Sequence, residues 1–105
     1  MKQLLSLALL LPLACHAADA DFTVQIKDHR IQPAEIKVPS GKRLALLVQN
    51  LDPTPEEFDS HDLNREKIIA GHGSATIYIG PLAAGRYTFS GEFHADSAHG
   101  LITAE

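Results

Sequence analysis

The chain is poor in sulfur: one cysteine and one methionine among 105 residues, and no tryptophan. Met1 and Cys15 both lie near the start, so nothing after Cys15 can form a disulfide or supply a thiolate. That excludes a disulfide scaffold, thiol chemistry and sulfur-ligated metal in the body of the chain. Basic residues are also few, nine Lys and Arg against thirteen Asp and Glu. Without clustered Lys and Arg there is no footprint for nucleic acid. Long apolar runs are missing as well. The longest, residues 4–14, falls well short of the roughly 20 residues a membrane helix needs. No nucleophile elbow, phosphate loop or dinucleotide fingerprint occurs, and no serine has a Ser-His-Asp context.

What the N-terminus does have is a short positive start at Lys2, that apolar run, and Cys15-His16-Ala17-Ala18 as small residues for cleavage. This pattern predicts a secretory signal peptide over residues 1–17, with cleavage after Ala17 or Ala18. Leu11-Pro12-Leu13-Ala14-Cys15 is a rival, a lipoprotein signal with Cys15 acylated, although Pro12 suits that box poorly. The domain expected to remain, residues 18–105, carries a net charge of −5 once Lys2 is gone. It would work in an oxidising compartment, the periplasm, without disulfides and without membrane insertion. Its acidic surface suits cations or basic partners.

Short alternating segments follow one another from residue 22 onward. Residues 22–27, 31–38, 43–50, 66–69, 74–80, 86–91 and 101–104 each alternate or carry a dense apolar run, with turns between them. Pro33 confines the start of the second segment to an edge or a bulge. Residues 51–65 form the longest irregular stretch. About seven strands without an amphipathic helix predict an all-β, antiparallel Greek-key sandwich. Gly85-Arg86-Tyr87 after a proline-containing turn suits a tyrosine corner, in which the Tyr hydroxyl bonds the backbone upstream.

Two tripeptides repeat one pattern, Glu57-Phe58-Asp59 and Glu92-Phe93-His94. In extended chain, residues two apart share a face. Each tripeptide would then aim two polar groups one way and its Phe inward. His61 continues the first row, and His99 follows the second in a loop between the last two strands. Any half-solvated strand in an acidic protein also places carboxylates on its wet face, which is the competing reading for Glu57 and Asp59. A metal is the economical use of the set Glu57, Asp59, His61, Glu92, His94 and His99. Imidazole with carboxylate suits Cu(II), Zn, Fe or Mn, and the lack of sulfur disfavours Cu(I). His29 and His72 sit in turns and read as surface residues.

The stretch Tyr87-Thr-Phe-Ser-Gly-Glu-Phe-His94 with His99 resembles the ligand loop of cupredoxins. There a Cys follows Tyr-x-Phe-x, a His comes three residues later, and a Met five beyond that. Here Gly91, His94 and His99 hold those places, so the spacing persists while the sulfur ligands are replaced. Glu57 is the residue nearest to the place of the upstream histidine. More closely, Pro55-Glu-Glu-Phe-Asp-Ser60, Leu63-Asn-Arg-Glu-Lys67, Ile79-Gly-Pro-Leu82, Gly85-Arg-Tyr87 and Gly91-Glu-Phe-His94 resemble EfeO-type cupredoxin-like domains. Those are small periplasmic proteins associated with bacterial iron uptake.

The resemblance implies a periplasmic module binding copper, or alternatively iron, as an accessory of uptake. A periplasmic iron-uptake protein or an inner-membrane permease would be its partner. Glu57, Glu92 and His94 carry over as ligands, Asp59 stands where a Glu is common, and His61 and His99 are additions of this chain. Blue-copper electron transfer is not expected without the cysteine. Two other readings stay open: a metal-free sandwich that binds a basic periplasmic partner, and an enzyme with ferroxidase-type turnover.

Overall fold

The computed structural model describes residues 19–105; residues 1–17, where a signal peptide is expected, and Cys15 within them lie outside the described residues. Among the described residues nine strands form two packed sheets, and the one helical element is a single 3-10 turn, Glu92–His94. In chain order the strands are β1 (Phe22–Lys27), β2 (Arg30–Gln32), β3 (Glu35–Val38), β4 (Leu44–Asn50) and β5 (Glu56–Ser60). They continue with β6 (Arg65–Ile69), β7 (Ser74–Ile79), β8 (Gly85–Gly91) and β9 (His99–Ala104). One sheet runs β2-β1-β4-β7 and the other β3-β9-β8-β5-β6.

The all-β sandwich is the expected fold, with three differences. The segment read as one strand over residues 31–38 is two, β2 in the first sheet and β3 in the second. Pro33 between them has no N–H to donate, so the ladder to β1 stops there and the chain crosses over. Both pieces are sheet edges, where a proline neighbour is tolerated. That crossing also makes two pairings parallel, β1 with β4 and β3 with β9, while the remaining pairs are antiparallel. The stretch read as irregular over residues 51–65 contains β5, which joins β6 on one side and β8 on the other.

The core lies between the sheets, where Val24, Ile26, Leu44, Leu46, Val48, Phe58, Ile77, Ile79, Phe89 and Ile102 interdigitate. Phe58 and Phe89 stack with ring centroids 5.1 Å apart. Gly100 lets β9 pass under the Phe89 ring, since a Cβ there would come within 2.2 Å of it. The tyrosine corner is present: Tyr87 donates from its hydroxyl to the Ala83 carbonyl at 2.8 Å.

The β5–β6 hairpin is fastened to β8 by Asp62, whose Oδ2 accepts from the Thr88 amide and from its hydroxyl, each at 2.9 Å. These two hydrogen bonds, opposed by burial and aided by the charge of His61, hold the Asp62 carboxyl below its ordinary value of 3.8. A carboxyl depressed on folding stabilises the fold fully above its unfolded value, and that contribution is lost as pH falls through the folded value. The stability gap between wild type and Asp62→Asn is therefore expected to be constant above about pH 5 and to close on acidification below about pH 4. Urea titrations across that range check it. A gap that persists unchanged into strong acid would show that Asp62 acts by other means.

Candidate metal centre

One end of the sandwich collects polar groups from four parts of the chain. Period-two alternation in β5 decides which. Phe58 points into the core, so Glu56 and Ser60 share its inward face, while Glu57 and Asp59 face outward; the burial of the strand alternates accordingly. Glu56 is thereby buried with only 1% of its surface exposed. Its Oε2 lies 2.6 Å from Nδ1 of His94. Its Oε1 accepts from the amides of Phe93 at 2.8 Å and Glu57 at 3.0 Å. The 3-10 turn Glu92–His94 brings the Phe93 amide and the His94 ring to the same carboxylate.

His29 completes the group from the opposite sheet. Its ring stacks on that of His94, with centroids 3.5 Å apart and planes 11° from parallel. Asp28 and His29 are the two-residue loop between β1 and β2, with φ of 52° and 57°. Positive φ at both central residues is the sign pattern of a type I′ hairpin, unfavourable for residues other than Gly, Asn and Asp. Asp52 supports it. Its carboxylate accepts from the amides of Asp28 at 2.8 Å and His29 at 3.0 Å. Burial acts to raise the Asp52 carboxyl, but those amide bonds and the charges of His29 and His94 together hold it below its usual value. Ser97 donates to the His29 carbonyl from the other side, at 2.5 Å.

Asn50 anchors the loop that carries Asp52. Its Oδ1 accepts from the Asp52 amide, and its Nδ2 reaches the carbonyls of Thr54, Ile69 and Ala70. A buried amide that satisfies donor and acceptor together fixes a non-repetitive loop as firmly as a strand would.

The six residues singled out from sequence separate in space. His94 stands beside Glu56, not Glu57, because adjacent residues of a strand face opposite ways. Glu57 and Asp59 instead meet Glu66 across the β5–β6 pair. Among the described residues, these three carboxylates are the set of three potential ligands with one oxygen each mutually within 4.8 Å. Burial first, then repulsion from Glu66, Asp59, Glu92 and Glu56, raises the Glu57 carboxyl above its ordinary value. His61 begins the turn after β5 and lines an open cleft of about 440 Å³ with Asp59, Ser60, Asn64, Arg65 and Glu66. Glu92 is exposed at the start of the 3-10 turn, and His99 is exposed at the start of β9, opposite Ser90.

Phe93 does not mirror Phe58. A 3-10 turn breaks the alternation, and Phe93 is 48% exposed. Glu56 and His29 were missed by sequence reasoning. Glu56 had a usable signal, since a residue two places before an inward Phe shares its face. His29 had none, because its contact with His94 joins different sheets.

A thiolate-bound copper centre does not fit here. Gly91 stands where the resemblance to a cupredoxin ligand loop would put a cysteine, and a Cβ on it would lie 2.7 Å from Cδ of Glu56 and 2.9 Å from the Cβ of Ala98. The Glu56 carboxylate fills the space a sulfur would need. A hard or borderline ion taken by imidazole nitrogen and water, with carboxylate support, does suit the groups present.

The two-sheet architecture, with polar ligand types at one end between the last strands, is a cupredoxin fold. Over residues 3–104 the sequence matches the cupredoxin-like domain family, and the chain belongs to it. An uncharacterized protein of Rickettsia prowazekii (strain Madrid E) is 46% identical over 79 residues. The match covers 75% of this chain and 63% of that protein, so this chain spans less than two thirds of its relative's length.

Solved structures agree on the fold. The metal-binding domain of the Cu(I)-exporting P-type ATPase CopA of Streptococcus pneumoniae D39, with Cu(I), has a TM-score of 0.71 at 19% identity. That match covers 79% of this chain and 82% of the other. Amicyanin of Paracoccus versutus gives 0.65 at 18%, over 84% and 83%. Auracyanin of Roseiflexus castenholzii gives 0.64 at 15%, over 80% and 95%. At such identities the likeness concerns the fold alone. Among the described residues no helix is long and apolar enough to cross a membrane.

Proposed function

We propose that this chain is a periplasmic protein that binds a copper or iron ion through imidazole and carboxylate groups, as an accessory of metal uptake. Residues 1–17 would serve as its signal peptide. The observation that carries this reading is the contact of Glu56 with His94, a buried carboxylate 2.6 Å from an imidazole nitrogen at the family's ligand-bearing end. Structural relatives include a domain holding Cu(I), which supports a copper cargo. The sulfur-free donor set favours Cu(II) or iron over Cu(I). The EfeO-like motifs support a place beside an iron-uptake protein or permease. Neutral imidazole is the binding form, so affinity should fall on acidification through the histidine range.

The test is Cu(II) and Fe(II) titration of the mature protein, wild type against His94→Ala, followed by absorption and electron paramagnetic resonance. His94→Ala is expected to lose binding by about 100-fold or more, in line with removal of a ligand rather than of an outer partner. Binding unchanged in His94→Ala would move the ion elsewhere, with Glu57, Asp59 and Glu66 as the next position to mutate.

That carboxylate triad also favours a second reading, a metal-free module docking a basic partner. Asp59 lies directly opposite Glu66 in the β5–β6 register, and like charges so placed destabilise the pair until a cation relieves them. A complex that forms equally well in chelator and dissolves in salt would support the module over the metal carrier.

A further inference from the structure

We infer that the outer face of the β2-β1-β4-β7 sheet is a second binding surface, which takes an uncharged, extended oligosaccharide of β-linked hexoses across its strands. The face lies on the flank of the sandwich rather than at its ligand-bearing end. Binding there requires neither the metal nor the proposed function.

Strand register assembles the surface. All three glutamines among the described residues stand in one row: Gln32 opposite Gln25, Gln25 opposite Gln49, with Ser74 opposite Gln49 at the far edge. Their chain neighbours Val24, Ile26, Ile31, Val48 and Ala75 pack in the core, so period-two alternation turns the row outward. Gln25 and Gln32 are exposed, and Gln49 is half-buried. Strands about 4.8 Å apart give a row across four of them a length of roughly 14 Å. The next row, Thr23, Leu47 and Thr76, is uncharged as well. Charges begin only outside these two rows. Lys27 and Arg30 face each other beyond the first, and Arg43 sits over the Tyr78 ring beyond the second.

The hydrogen bonds of the row decide what it can hold. Gln25 donates from Nε2 to Oε1 of Gln49 at 3.0 Å, which lays both amides along the row. That leaves the Gln25 oxygen, its second N–H and both N–H groups of Gln49 for a ligand. Donors and acceptors thus follow one another in a line. Hydroxyl groups, each both donor and acceptor, match such a line. A carboxylate or an ammonium would give up its hydration and meet no opposite charge in either row.

Size and polarity exclude other occupants. Four strands, none longer than seven residues, present on the order of 400 Å². That is about half of the roughly 800 Å² that each partner buries in a standard protein interface. The centre of the face also lacks the exposed aromatic or Arg anchor on which protein partners rely. An anionic lipid surface needs clustered Lys and Arg, and the two rows have none. A narrow line of amides fits a narrow chain, and β-linked hexoses extend as a flat ribbon with hydroxyls along its edges. Tyr78, 41% exposed at the border, adds a ring against which the C–H face of a sugar packs.

The probes are cellohexaose and chitohexaose, with α-linked maltohexaose, which coils, as the control. In ¹⁵N-labelled protein without metal, titration with a β-linked probe is expected to shift the side-chain amide signals of Gln25, Gln32 and Gln49, with a Kd tighter than about 1 mM. The signals of Asn50, buried in the sandwich, and Asn64, in the turn between β5 and β6, should stay in place. Gln25→Ala should weaken binding about 5–10-fold, as loss of one or two neutral hydrogen bonds does. Gln25 is exposed, so this variant keeps the fold, and its melting midpoint checks that. Thr103→Ala should leave binding unchanged, since Thr103 lies between buried Ile102 and Ala104 on the outer face of the other sheet.

Glutamine signals that neither β-linked probe moves at about 10 mM overturn the proposal. Equal binding of maltohexaose does so too, as does a Gln25→Ala protein that binds like wild type. Signals that move with protein concentration but not with sugar would assign the face to a second copy of the chain and overturn it as well. Each of these outcomes is independent of whether His94 binds copper or iron.

Discussion

Placing a cysteine at position 91 by Gly91→Cys is expected to destabilise the domain without creating a blue-copper centre. The new Cβ would meet Cδ of Glu56 at 2.7 Å and the Cβ of Ala98 at 2.9 Å. Neither neighbour yields cheaply. Ala98 is fully buried and its Cβ is fixed to the backbone, while three hydrogen bonds hold the Glu56 carboxylate. Overpacking of this kind costs about 2–3 kcal/mol, which in a domain of this size lowers the melting midpoint by roughly 10–20 °C. Calorimetry reads the stability, and the visible spectrum with Cu(II) reads the centre. Glu56→Ala in the same chain makes room, so the double variant should lose less than the two single losses added together, by about 1–2 kcal/mol. A Gly91→Cys protein as stable as wild type, with an intense thiolate-to-copper band, would disprove the steric account.

Phe58→Ala has the larger expected effect. The ring is 1% exposed and stacked on Phe89, and deleting a buried Phe side chain costs about 3–5 kcal/mol. The informative control is Phe93→Ala in the sister tripeptide. Phe93 is 48% exposed, so its removal should cost no more than about 1 kcal/mol. Denaturant titration of both variants gives the comparison. Equal losses would mean that Glu92-Phe93-His94 is extended and inward-facing after all, and the contact of Glu56 with His94 would lose its structural basis.

That contrast marks how far the sequence could be read. Alternation at residues 22–27 and 74–80 was enough to place β1 and, to within a residue, β7, because a half-buried strand imposes period two on its own residues. The tyrosine corner was legible for the same local reason, its donor and acceptor being four residues apart. The crossing between β2 and β3 was half legible: Pro33 announced an edge, but not that the chain would change sheets. Glu57 was favoured over Glu56 because it pairs with Asp59 at period two, although Phe58 gave Glu56 the inward side by the same rule.

From its sequence this protein is an all-β sandwich with no sulfur ligand after Cys15 and with imidazole and carboxylate near its last strands. Those properties follow from composition and from short-range periodicity, which each segment carries within itself. Only the tertiary structure chose which glutamate meets His94 and brought His29 against its other side. These contacts join residues distant along the chain, through the pairing of β5 with β8 and the packing of one sheet on the other. Pairing partners are selected by the whole core at once, and no single segment records them.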